Sequence, residues 1–134
     1  MKKEDIRKKL EKIAKSHDLL LVILFGSQAT GKASEKSDVD IAVLGKKIIS
    51  TEEIIELNNK FADAFEVKEI DVKSLHNTNP LFRWQVAGKG KLLFGKLKDF
   101  NSFRAYAFRS YIDSQDLLRL KEIIINKRLK AIAT

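Results

Sequence analysis

No cysteine occurs in the sequence, so disulfides, thiolate metal sites and cysteine nucleophiles are all excluded. That absence suits a reducing cytoplasm. One proline and six glycines among 134 residues are too few for a disordered or fibrous chain. Long apolar runs are lacking as well: nothing approaches the roughly 20 uncharged residues that a membrane span needs. The opening MKKEDIRKKL mixes charges of both signs and has no apolar stretch of the signal-peptide kind. Neither secretion nor membrane insertion is expected. What is present, 44% hydrophobic and 33% charged residues, is the composition of a globular protein. A chain of this size buries roughly two-thirds of its unfolded surface. The expectation is one domain over residues 1–134, with a core at about 19–95 and a helical arm at about 99–131.

The formal net charge of +8 favours anionic partners, namely nucleotides, nucleic acid or an acidic protein face. Residues 2–15 carry seven bases and three acids. With acids interspersed and no aromatic residue among them, they read as a solvated helix face rather than a nucleic-acid patch.

Ile6, Leu10, Ile13 and Ala14 recur at helical spacing, which predicts an amphipathic helix over 3–16. Leu19 to Phe25 is a short apolar run ending at Gly26-Ser27 and reads as a buried strand. Residues 27–37 are small and polar and predict a loop or short helix. Val39, Ile41 and Val43 alternate with Asp38, Asp40 and Ala42, which predicts a second strand over 38–44. Ser50 with Glu52 and Glu53 reads as an N-cap and acidic first turn of a helix over 51–65. Alternation over 66–72 predicts a third strand, 81–87 a short helix starting at Pro80, and 91–94 a fourth strand. From Asp99 a helical period runs on without glycine or proline, predicting one long helix that frays after about Lys127. The order implies an α/β (α+β) fold, a small mixed sheet with helices packed on it.

Asp38 and Asp40 lie two residues apart on a strand, so their Cα atoms are about 6.5–7 Å apart and both side chains leave one face. Two carboxylates in a half-buried site are costly unless a cation compensates, and Mg²⁺ takes a few carboxylates together with phosphate oxygens. The preceding strand ends in Gly26 and Ser27. Glycine admits a phosphate close to the backbone, and the serine hydroxyl and following N–H groups can donate to it. A triphosphate cradle beside a metal pair suits attack at the α-phosphorus with pyrophosphate leaving. That chemistry needs a third acid, for which Asp71 and Glu69 are both candidates.

The string GSQATGKASEKSDVDIAV, followed by an acid in EIDV, resembles the minimal nucleotidyltransferases of the DNA polymerase beta superfamily. More narrowly, it is similar to the MNT antitoxins of HEPN/MNT toxin-antitoxin pairs. The resemblance spans about residues 19–95 and implies a palm-like nucleotidyltransferase fold. It also implies Gly26 and Ser27 on the triphosphate, Asp38 and Asp40 on two Mg²⁺ ions, and Asp71 as third ligand and base. The implied reaction is transfer of AMP from ATP to a tyrosine of a HEPN ribonuclease toxin, with the chain assembled on that partner as its antitoxin. A non-catalytic antitoxin, or transfer to a small molecule or an RNA end, are the competing readings.

The remaining candidates have bland readings. His17 and His76 read as caps or surface residues rather than ligands. Trp84 with Phe82 could stack an adenine but reads as core. Lys32, Lys36, Lys89 and Lys91 could meet phosphate but read as solvated. Phe103, Tyr106, Phe108 and Tyr111 place aromatics on more than one side of the last helix, which points to a protein partner or self-association.

Overall fold

The computed structural model describes residues 3–26, 39–76 and 78–133. The expected loop or short helix at 27–37, with Ser27, Asp38, Lys32 and Lys36, lies outside the described residues. The elements are α1 (Lys3–Ser16), β1 (Leu19–Phe25), β2 (Val39–Gly45), α2 (Thr51–Phe65), β3 (Ile70–Ser74), α3 (Pro80–Lys89), β4 (Lys91–Phe94) and α4 (Leu97–Ala133). The strands form one mixed sheet in the order β3-β2-β1-β4. β1 pairs antiparallel with both β2 and β4, whereas β2 and β3 run parallel.

Both faces of this sheet are covered, which is why β1 reads as a continuous apolar run. On one face Val22, Ile41, Val43 and Val72 pack against Leu10 and Ala14 of α1 and Leu57 and Phe61 of α2. On the other, Leu21, Ile23 and Ala42 meet Val86 and Ala87 of α3 and Phe100, Phe103 and Ala107 of α4. A register shift between Leu19 and Leu21 lets Leu19 and Leu20 serve opposite faces while Leu20 and Leu21 serve the same one.

Local chemistry sets the helix ends. The Ser50 side chain accepts from the Glu53 N–H at 3.2 Å and caps α2, and Asn79 caps α3 with Pro80 following. At the far end of α2, Glu66 adopts a left-handed conformation (φ 55°), its N–H turning back to Ala62 and Asp63. That cap consumes residues the alternation assigns to a strand. β3 therefore begins at Ile70 rather than at 66 and extends to Ser74. β3 is an edge strand, and Asn58 of α2 accepts the Val72 N–H at 2.9 Å.

α4 begins at Leu97 and stays helical to Ala133, past the fraying expected at Lys127. His17 is a bridge between helices, its side chain only 7% exposed. The Lys60 ammonium stands 2.9 Å from its Nε2, which fixes Nε2 as the acceptor and leaves Nδ1–H to donate to Glu53 at 3.0 Å. His76 meets the Gly45 carbonyl at 3.0 Å. Trp84 is half-buried on the seam between α3 and α4, stacked on Tyr111 at 6.0 Å and tilted against Phe108 at 5.3 Å.

Phe61 is fully buried between α2 and the sheet. Phe61→Ala is expected to lower the unfolding free energy by about 3–5 kcal/mol, read as a lower urea midpoint at unchanged slope.

Candidate active site

The sheet ladder builds the site. Phe25, the last residue of β1, pairs with Asp40 of β2, and Asp40 pairs with Asp71 of β3. In this parallel register the two aspartates stand side by side. Their neighbours Val39, Ile41, Ile70 and Val72 belong to the α1–α2 core, so both carboxylates leave the opposite face, toward α3. Asp40 is half-buried, whereas Asp71 is exposed.

Gly26 follows Phe25 directly and has φ +79°, the left-handed region that glycine enters freely. A Cβ built on it would stand 2.5 Å from Oδ2 of Asp40. The carboxylate therefore occupies the space that any other residue would fill. Glycine is favoured here by its backbone angle, and a side chain would have to displace the Asp40 carboxylate.

A family model described as "Polymerase beta, Nucleotidyltransferase" matches residues 8–99. This chain belongs to the polymerase beta nucleotidyltransferase family. It is 29% identical over 115 residues to the protein adenylyltransferase MntA of Shewanella oneidensis, spanning 84% of this chain and 82% of that one. Among solved structures it is similar to a chain of a toxin-antitoxin complex with AMP-PNP, with TM-score 0.73 and 29% identity over 92% of this chain and 98% of that one. It also resembles a chain of the complex of tri-AMPylated Shewanella oneidensis HEPN toxin with MNT antitoxin, with TM-score 0.67 and 27% identity over 92% of this chain and 96% of the other.

Of the acids open to a nucleotidyltransferase here, the structure brings Asp71 beside Asp40. Glu69 precedes β3 and is outside the ladder. Among the described residues no three His, Asp or Glu side chains converge, and Asp38 lies outside them. The donors in place are carboxylate oxygens on one face, the type a hard divalent cation takes, and a cation eases the repulsion of like charges on neighbouring strands. The set fits.

The sequence reading passed over Lys73. It leaves β3 on the same face as Asp71, its ammonium 3.7 Å from Oδ2 of Asp71 and 5.4 Å from the centroid of the Phe82 ring. Phe82 in turn meets Phe25 edge-on at 5.3 Å, so an aromatic pair floors the space between α3 and the end of β1. The signal for Lys73 was the alternation of Ile70, Asp71, Val72 and Lys73. Lys89 and Lys91 lie exposed at the junction of α3 and β4.

Gly26→Ala is expected to cost about 1–3 kcal/mol of stability through the left-handed backbone. It should also displace Asp40 and depress nucleotidyl transfer more than the lost stability explains. Urea denaturation and initial rates on the same sample check the pair of effects.

Proposed function

We infer that the chain is an Mg²⁺-dependent protein adenylyltransferase that moves AMP from ATP onto a tyrosine hydroxyl of a HEPN-type ribonuclease, in the cytoplasm, and thereby acts as that toxin's antitoxin. The observation that carries the reading is the in-register pair Asp40 and Asp71 beside Gly26. The similarity to MntA and to complexes of HEPN toxin with MNT antitoxin supports the choice of nucleotide and acceptor.

In this reading Gly26 and Ser27 take the triphosphate, the glycine by leaving room at the backbone and the serine by donating its hydroxyl. Asp38 and Asp40, with Asp71, hold two Mg²⁺ ions. When bound, such ions neutralise the phosphate oxygens and lower the barrier to in-line displacement. Asp40, pinned against Gly26, serves the nucleotide side of the site. Asp71 stands on the open side, next to the edge of the sheet, where an incoming hydroxyl can lose its proton to the carboxylate. The acceptor oxygen bonds to the α-phosphorus, the bond to the bridging oxygen breaks, and pyrophosphate leaves. Lys73 holds the Asp71 carboxylate from the inner side of the strand.

Incubation with ATP, Mg²⁺ and a HEPN ribonuclease toxin should add AMP to that protein, detected by intact mass, and chelation of the metal should stop it. Asp40→Asn and Asp71→Asn are each expected to slow transfer roughly a thousandfold, equivalent to about 4 kcal/mol of barrier. Glu69→Gln should leave the rate close to that of the native chain. If Glu69→Gln abolished transfer while Asp71→Asn preserved it, the third acid would be misassigned. Label confined to added RNA would overturn the acceptor.

A further inference from the structure

The outer half of α4 carries no buried residue. From Asp116 to Ala133 every described side chain is exposed, a length of about 27 Å at the helical rise. A segment without a buried residue gains little from packing. It is nevertheless rich in large apolar side chains: between Leu117 and Ile132 stand eight leucines and isoleucines, each 45–81% exposed. So many large apolar side chains exposed along one segment go beyond the singly scattered ones of an ordinary surface and mark an interaction site.

Their placement is ordered. Leu118, Ile125, Leu129 and Ile132 continue the spacing of three and four that sets Phe100, Phe103 and Ala107 into the core. Leu117, Leu120 and Ile124 form a second line, about a third of a turn away at 100° per residue. One neighbouring helix covers a single line, so two lines call for a groove with two walls. Charge decides whose groove it is. Residues 115–133 carry Arg119, Lys121, Lys127, Arg128 and Lys130 against Asp116 and Glu122. Two copies of this arm laid together would juxtapose like charges, which costs affinity, whereas an acidic rim would attract it.

We propose that the outer half of α4 is a docking arm that inserts, along both apolar lines, into an acidic-rimmed groove between helices of the partner protein. With the partner taken as the HEPN ribonuclease, this rests on the functional reading above. The arm holds the acceptor protein on the helix whose root packs on the sheet face that carries Asp40 and Asp71.

The test uses this chain and a HEPN ribonuclease toxin, with complex formation followed by calorimetry and AMP transfer by mass. Leu120→Gln with Ile124→Gln, Ile125→Gln with Leu129→Gln, and Lys121→Glu with Arg128→Glu should each weaken the complex at least tenfold. Thermal melting of the isolated chain should stay unchanged, since all six side chains are exposed. In transfer assays the KM for the HEPN protein should rise while kcat holds, and Asp40→Asn should keep the complex and lose transfer. Native-like affinity in all three double variants would overturn the arm and leave the transfer reading intact. A complex sensitive to the arm variants, but with no AMP transferred by the native chain, would uphold the arm and sink the transfer reading. Two further results overturn the proposal: no complex with the native chain, or arm variants that only turn a homodimer into monomers.

Discussion

Two like charges side by side on adjacent parallel strands are the constraint around which this fold is arranged. Asp40 and Asp71 pair in register, so both side chains leave one face of the sheet. At the end of the neighbouring strand a Cβ on Gly26 would meet Oδ2 of Asp40, and the chain turns there through a positive φ that other residues resist. The position of β1 against β2 is thus locked to the position of one carboxylate. A candidate nucleotidyltransferase site gains from this, because its acids are set before any ligand arrives.

The rest of the sheet exists to hold that register. β2 lies between β1 and β3 with helices on both faces, and its residues Ile41, Ala42 and Val43 are fully buried. A slip of one residue would drive Asp40 into the α1–α2 core and expose Ile41, so the core itself enforces the pairing. The cap at Glu66 ends α2 and leaves Glu69 outside the ladder that pairs Asp71 with Asp40. Lys73 and the Phe82–Phe25 contact then close the inner side of the site, joining β3 to α3 and α3 to the end of β1.

α4 joins two environments in one helix. Its first half packs on the sheet through Phe100, Phe103 and Ala107, and its second half keeps the same apolar spacing with no sheet beneath it. The stripe does not stop where the domain stops. Trp84 and Tyr111, stacked at the boundary, tie α3 to α4 where the buried half ends.

Local chemistry was legible in the sequence. Helix α1, strand β1 and the capped helix α2 follow from spacing and from Ser50, because amphipathic period and capping depend on residues a few positions apart. Gly26 and Asp40 were legible as a pair of types at a suitable separation. Tertiary structure decided what depends on distant segments meeting. It placed Asp71 rather than Glu69 opposite Asp40, because the pairing of β3 with β2 begins at Ile70. It gave His17 a bridging role, since Glu53 and Lys60 reach it only once α2 lies on α1. It also showed Trp84 at a seam rather than in the core, because which side of a helix is covered depends on where its neighbours end. The residues and their order determined which groups were available for chemistry, and the pairing of strands far apart in the chain determined which of them stand together.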